Sequence, residues 1–321
     1  MRRVPLSCLL FWKGAVMNSS KLKACPQVPS LGTQSSKVSN DAQKRNDKEQ
    51  VCLNELKIVI KGAGEMASGV AHRLYMAGMR NILMTEIPEP LSVRRMVSFS
   101  EAVFEGNMEV EGVRAECIQH IEGVRSAWEK HNIAILVDPQ WQSIGILKPH
   151  VVVDAVMAKR NLGTRKDEAP LVIGVGPGFT AHDDVHIVVE SNRGHDLGRT
   201  IYAGAAEPYT GMPGQTMGYA TERVLRAPVA GRVKHVRALG DSVKAGDPIL
   251  TIDNASFLAP IDGILRGLIR EISVAKNEKV GDIDPRGKAE YCRSISEKAR
   301  AIGGGVLEAI MHVYNQSAPM I

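Results

Sequence analysis

Apolar patterning starts at Leu56, where LKIVIKGAGEMASGVAHRLYMAGMRNILMTEI sets two short apolar runs on either side of a glycine turn and a segment of helical period. Leu56 to Ile60 predicts a strand, Gly62 to Gly64 a tight turn, Ala67 to Ala77 a helix closed by Gly78, and Ile82 to Thr85 a second strand. Two strands joined in this way predict a parallel βαβ unit. Further on, EAVFEGNMEVEGVRAECI predicts two or three short strands around Gly106 and Gly112, and Gln119 to Lys130 a helix. IAILVD and HVVVDAVM are apolar throughout, the pattern of strands buried on both faces of a parallel sheet, and they end at Asp138 and Asp154.

Past residue 165 the pattern changes. Leu171 to Val175 and Asp184 to Glu190 are strand-like and flank the glycine-rich GVGPGFTAHDD, while YAGAAEPYTGMPGQTMGY predicts a loop that wraps or closes a site. The chain then repeats itself: Pro228/Gly231 recurs 32 residues later as Pro260/Gly263, and Gly246-Asp247 recurs 35 residues later as Gly281-Asp282. Each copy is too small to bury its apolar face alone, so two interlocked copies are expected to form one β-unit. Tyr291 to Tyr314 predicts a helical segment interrupted at Gly303-Gly304-Gly305 that packs back on another part of the chain.

Composition narrows this picture. With 321 residues and 44% hydrophobic content the chain can build a sizeable core, and 30 glycines beside 4% aromatics suit strands and tight turns. Five cysteines without a pairing pattern argue against a disulfide-stapled secreted module. The formal charge of +5 resides in the leader: residues 1–50 hold nine Lys/Arg against three Asp/Glu, leaving 31 against 32 in the rest. A near-neutral body lacks the broad basic footprint of a nucleic-acid binder, and no later stretch has the run of about 20 apolar residues needed to span a membrane. Residues 1–55 are expected to be a disordered leader; the two arginines and the apolar run before Lys13 leave a working export signal as the alternative to a dispensable extension.

Gly62-x-Gly64-x-x-Ala67 fits the dinucleotide fingerprint in its proper context, after a strand and at the opening of a helix. Glu86 ends the second strand about 20 residues on, where a carboxylate can accept ribose hydroxyls. Glu65 borders the same crevice, as a ligand contact or a solvated turn residue. Arg94 and Arg95 follow, as phosphate forks or as surface and inter-domain pairs. Asp154 and Lys159 stand at or after the carboxyl end of an apolar strand, as site residues or as a buried ion pair. Gly176 and Gly178 could expose amides to an anion. Beside them His182, Asp183, Asp184 and His186 offer metal coordination, acid–base or polar recognition, or a hydrogen-bonded structural loop, and Glu190, His195 and Arg199 extend that polar set. No metal site and no catalytic residue is assigned, and whether the chain is an enzyme stays open.

The halves APVAGRV and APIDGIL resemble the biotinyl/lipoyl barrel-sandwich architecture, but the joint ILTIDNASFLAP has no lysine, so neither covalent biotin nor lipoate is expected. Over residues 56–321 the chain resembles the YqeB-like accessory proteins of selenium-dependent molybdenum hydroxylases. VIKGAGEMASGVAHRLYMAGM, MTEIPEPLSVRRMVSF, VVVDAVMAKRN, GVGPGFTAHDDVHIVVESNRGHDLGR and SEKARAIGGGVLEAI carry the resemblance. It implies a cytoplasmic protein, distantly like the xanthine dehydrogenase maturation factor, that serves a molybdenum hydroxylase or its maturation machinery by helping to complete or insert its cofactor; with the glycine fingerprint, the ligand expected is a molybdopterin-type cofactor or NAD(P). The chain has no cysteine pattern for iron–sulfur clusters. The expected fold class is α/β: a Rossmann-like parallel sheet at 56–165, a middle glycine-rich α/β segment at 166–222, a small duplicated β barrel-sandwich domain at 223–290 and a C-terminal helical segment at 291–321. Three functions stay open: maturation protein, NAD(P)-dependent oxidoreductase, and non-catalytic assembly or binding protein.

Overall fold

In the computed structural model, which describes residues 51–315, a nine-stranded sheet forms the centre. Its strands are β1 (Ile58–Lys61), β2 (Ile82–Glu86), β3 (Asn107–Val110), β4 (Val113–Ile118), β5 (Ile133–Val137), β6 (Val151–Asp154), β7 (Leu171–Val175), β9 (Ile187–Val189) and β10 (Thr200–Ile201), with β8 (Thr180–Ala181) outside it. The order is β10-β9-β7-β6-β1-β2-β5-β4-β3. All neighbours from β9 to β4 run parallel, and β10 and β3 add antiparallel edges. The chain leaves β1 on one side toward β2 and returns on the other as β6, so the strand order reverses at β1.

Both faces of these apolar strands are covered, as their sequence requires. Ile58, Ile60, Ile82, Met84, Val151 and Val153 bury one face beneath α1 (Glu65–Met76) and the last helix. The alternate residues Val59, Leu83, Ala134 and Val152 bury the other, against Val124 and Ala127 of α3 (Val124–Glu129) and Ile144 of α4 (Gln142–Leu147). A single turn, α2 (Ala102–Glu105), precedes the β3–β4 hairpin.

The last helix, α5 (Glu297–Tyr314), runs unbroken through Gly303-Gly304-Gly305, against the interruption expected from sequence. Glycine lowers helix propensity by about 1 kcal/mol per residue, but here two of the three permit backbone approach. A Cβ on Gly303 would stand 2.9 Å from the Gly69 carbonyl oxygen, and one on Gly69 2.6 Å from the Ala299 Cβ, so α1 and α5 cross at contact distance. Gly305 likewise meets the backbone of Gly198. Ser296 caps the helix by accepting from the Ala299 amide.

Two further expectations are corrected. The helix read over Gln119–Lys130 is a 3-10 turn at Ile121–Gly123 followed by the six residues of α3. Strand β9 begins only at Ile187, because Asp184 accepts the Thr180 amide and holds a turn. Leu53–Glu55 forms a 3-10 turn that precedes β1; the leader expectation for residues 1–50 lies outside the described residues.

The repeat interlocks. After β11 (Gly204–Ala205), which pairs with β8, come β12 (Val224–Arg226), β13 (Gly231–His235), β14 (Ser242–Val243), β15 (Pro248–Ile252), β16 (Ala255–Leu258), β17 (Gly263–Leu268), β18 (Ser273–Val274) and β19 (Lys279–Asp284). They make two antiparallel sheets, β12-β19-β17-β14 and β16-β15-β13-β18. Each copy lends its short strand to the other: β14 pairs with β17, and β18 with β13. One core results, with Val233, Val243 and Ile249 from the first copy and Leu265, Val274 and Val280 from the second. The fold is therefore mixed α/β, with a large mostly parallel sheet, two four-stranded antiparallel sheets and the short β8–β11 pair. No helix among the described residues is long and apolar enough to cross a membrane.

The glycines of α1 and α5 give a graded test by urea unfolding. Gly69→Ala and Gly305→Ala should each destabilise by about 1–3 kcal/mol through overpacking. Gly304→Ala, whose Cβ meets nothing within 4 Å, should stabilise by about 0.5–1 kcal/mol. Equal effects at the three positions would contradict the crossing.

Candidate functional site

A cavity of about 730 Å³ opens at the carboxyl ends of β1, β2, β5 and β6, on the edge where the strand order reverses. Gly62 and Gly64 from the turn, Glu86 at the end of β2, Arg94 beyond it, Trp141 before α4 and Met157 after β6 are among its walls. Gly62 has φ +87°, a left-handed conformation that glycine adopts without strain, and a Cβ there would press the Val156 backbone at 3.3 Å. Its amide donates to the Thr85 carbonyl at 2.9 Å, tying the turn to β2. Gly64 is the N-cap of α1 and lies against Ser92, while Ala67 is fully buried where α1 packs.

Glu86 is held in place by the turn itself. One carboxylate oxygen accepts the Ala63 amide at 2.9 Å and the other the Ile87 amide at 2.8 Å. Burial pushes this carboxyl up, and the two amide bonds work against that rise. Arg94 is buried, pairs with Glu65 at 3.1 Å and donates to the carbonyls of Tyr291 at 2.8 Å and Ser294 at 3.1 Å. Two wall residues keep an unmatched polar atom: Thr85 Oγ1 and Arg94 Nε make no hydrogen bond. Arg95 turns away, its Nε donating to the Leu268 carbonyl at 2.7 Å, which joins the sheet to the β-unit.

Sequence reasoning missed the charge behind this wall. Lys61, the last residue of β1, is 0% exposed and in register with Thr85 and Asp154. Its Nζ donates to Thr164 Oγ1 at 2.7 Å and pairs with Glu168 at 2.8 Å, and it lies 3.9 Å from the centre of the Trp141 ring. Thr164 Oγ1 in turn donates to Asp154 at 2.6 Å, and the other Asp154 oxygen accepts the Val156 amide. Burial lowers the Lys61 ammonium, while Glu168 and Asp154 favour its charged form. The available signal was a lysine closing an otherwise apolar strand at the carboxyl edge. Chemically the set is a neutralised ion-pair network behind an aromatic wall, and the Trp141 ring is what it presents to the cavity, a face suited to a π-bearing ligand.

The remaining candidates lie elsewhere. Lys159 lines a second cavity, with its Nζ 4.3 Å from the Tyr209 ring centre. Gly176 and Gly178 serve close packing: a Cβ on the first would strike Ser191 and one on the second would stand 2.6 Å from the Arg160 Cα. His182 and Asp183 are exposed in a turn, Asp184 caps that turn, and His186 Nδ1 accepts the Val172 amide at 3.0 Å. Glu190 is buried and clamps three amides, those of Ser191 and Asn192 at 2.6 Å and Glu207 at 2.7 Å. His195 is exposed, and Arg199 makes a surface pair with Asp196 at 3.2 Å. The loop therefore does not converge on one centre, and no group of three or more His, Cys, Asp or Glu among the described residues could hold a metal. Cys52, Cys117 and Cys292 are free thiols.

No family model matches the sequence. A curated relative does: the "Uncharacterized protein YqeB" of Escherichia coli (strain K12) is 49% identical over 260 residues, covering 81% of this chain. The chain is YqeB-like. It spans 48% of that relative's length. Among solved structures, "TcdA (CsdL)" is 11% identical at TM-score 0.30, covering 86% of this chain and 94% of that one. A succinylglutamatedesuccinylase/aspartoacylase from Rhodobacter sphaeroides is 12% identical at TM-score 0.22, covering 71% and 85%. Likenesses that slight carry no fold argument.

In this YqeB-like chain two histidines act as acceptors of backbone amides at strand starts: His186 as above, and His150, whose Nδ1 accepts the amide of Lys57, just before β1, at 2.9 Å. Burial lowers both below the ordinary 6.5, helped by Lys57 at His150 and by Lys166 and His182 at His186. The unfolded chain then binds more protons, so the stability contributed is complete above pH 6.5 and is lost as pH falls through the folded-state values. The urea midpoint should fall on acidification below pH 6.5, and a His150→Asn, His186→Asn variant should show a shallower fall. An unchanged slope would remove these rings from the account.

Proposed function

We propose that this chain is an accessory or maturation protein for a selenium-dependent molybdenum hydroxylase, and that its large cavity takes the nucleotide end of a molybdopterin-type cofactor or a dinucleotide. The observation that carries the ligand half is the 730 Å³ cavity at the carboxyl edge of β1, β2, β5 and β6 where strand order reverses, the position at which open α/β sheets take ligands. The hydroxylase half rests on the five sequence segments that resemble the YqeB-like accessory proteins. In this reading the parallel sheet is Rossmann-like, the interlocked repeat is a barrel-sandwich domain, the boundaries are those given above, and the protein works in the cytoplasm beside a hydroxylase or its assembly machinery.

The residues fit a nucleotide in three respects. Gly62 and Gly64 add no side chain of their own to the cavity at the start of α1, where helix amides favour an anion. Thr85 and Arg94 put polar side chains in the wall, and the Trp141 ring offers a face to a base. Glu86 departs from the ribose-binding pattern, since both its oxygens already hold amides; a sugar hydroxyl would share an oxygen with Ala63 or Ile87. A molybdopterin-type group would bring the redox and sulfur or selenium chemistry. The chain itself binds, orients and shields the nucleotide end.

Calorimetric titration with NAD, NADP and the cytosine and guanine dinucleotides of molybdopterin tests this reading. A molybdopterin dinucleotide should bind selectively, and Leu91→Trp, which fills the cavity from an exposed wall position, should weaken it at least about tenfold, or about 1.4 kcal/mol. Preference for NAD or NADP with turnover would favour an oxidoreductase. Failure of all four to bind a folded protein would leave assembly without a nucleotide.

A further inference from the structure

A second cavity, of about 240 Å³, lies between the β-unit, the N-terminal turn of α5 and the segment Glu207–Gly214. It touches the first only through Met157, which lines both. Its walls bring together Lys159, Arg193, Arg226, Lys279 and Lys298 against one carboxylate, Glu207. These cations come from five separate stretches of chain. The proline- and glycine-rich loop read from sequence as closing a site supplies the opposite wall, with Tyr209 and Met212, and Gly214 sits so close to Arg193 that any Cβ there would collide with it.

The existing pairings do not neutralise this cluster. Arg193 pairs with Glu297 and Arg226 donates to the Asn277 carbonyl. Lys279 reaches Asp282 at 3.4 Å, but that carboxylate already serves Arg223 at 3.0 Å and Arg266 at 2.8 Å. Glu207 is engaged by Asn192. Lys298 is half-buried and has no hydrogen-bond or ion-pair partner. It also stands in the first turn of an 18-residue helix, where a cation opposes the helix dipole. Burial lowers its ammonium and Arg193 and Lys279 lower it further, against the opposing pull of Glu65 and Glu190, neither of which forms an ion pair with it.

We propose that this second cavity binds a phosphate-bearing small molecule, with Lys298, Lys279 and Arg193 gripping the phosphate and Tyr209 and Met212 covering its organic part. A phosphate or pyrophosphate carries multiple charges on closely spaced oxygens, which matches cations converging on a small concave space. The site is distinct from the nucleotide cavity, and the inference does not rest on that reading.

Titration of the full chain with pyrophosphate at low salt, followed by calorimetry, provides the test. Saturable binding is expected, weakened at least about tenfold by Lys298→Gln, the loss of one charge-assisted hydrogen bond, and kept within about threefold by Lys298→Arg. Lys159→Gln, at an exposed position outside the core, should weaken binding at least about threefold, and Lys130→Gln, at an exposed lysine outside the cavity, should leave it unchanged. Absence of saturable binding, wild-type affinity in both the Lys298→Gln and Lys159→Gln variants, or succinate binding as tightly as pyrophosphate would overturn the proposal.

Discussion

The backbone contact between α1 and α5 is the constraint on which the rest of the structure depends. Gly69, Ala299 and Gly303 bring the helices together without intervening side chains, and Ile302, Val306 and Ile310 of α5 then enter the same core as α1. That docking also fixes the chain just before α5, because the Tyr291 and Ser294 carbonyls hold the buried Arg94 on the wall of the large cavity. The same docking carries Lys298 into the smaller cavity. A helix formed by the last stretch of described sequence thereby sets one wall of each site.

The β-unit is attached to the sheet mainly through polar contacts. Leu268 gives its amide to the Val93 carbonyl at 2.8 Å and its carbonyl to Arg95, while Arg270 pairs with Glu101 at 2.8 Å. Beneath these lies Asp282, whose carboxyl burial would raise but which Lys279, Arg266 and Arg223 hold below its usual range. A buried carboxylate shared by several guanidinium and ammonium groups is costly to break, since removing it would leave charges uncompensated, and such a network favours one relative geometry over others. Arg95 therefore belongs to the attachment, one of the two roles that its sequence position left open.

Much of the scaffold was legible because its signals are local. The apolar runs at 58–60, 82–84, 133–137 and 151–153 are short, lack prolines and are flanked by turns, and each became a buried strand. The repeat was legible because its motifs recur with their glycines, although the exchange of β14 and β18 depends on pairing that no linear spacing encodes. Where local reasoning failed, a distant partner decided. Gly303 and Gly305 look like helix breakers until Gly69 and Gly198 are placed against them, and Gly176 and Gly178 look like open amides until Ser191 and Arg160 fill the space. His182 and Asp183 attracted attention by density of chemistry, yet the turn held by Asp184 directs them to solvent.

The two cavities also differ in how their charge is managed, and that difference explains their uneven visibility in sequence. The large one carries a fingerprint because a tight turn, a helix start and a strand end must follow within one βαβ unit, while its positive charge is buried behind Trp141 in Lys61, paired with Glu168 and linked through Thr164 to Asp154. That charge is neutralised where it stands, and its burial cost is offset by partners already in place. In the small cavity the cations come from residues 159, 193, 226, 279 and 298, so composition along any one stretch shows nothing, and a near-neutral body conceals a local excess. Folding offsets that excess only in part, since Glu297 and Asp282 reach Arg193 and Lys279 while Lys298 has no paired carboxylate. A ligand anion entering there would meet cations whose mutual repulsion had been met during folding, the electrostatic preorganisation that lets a small concave surface hold a highly charged group.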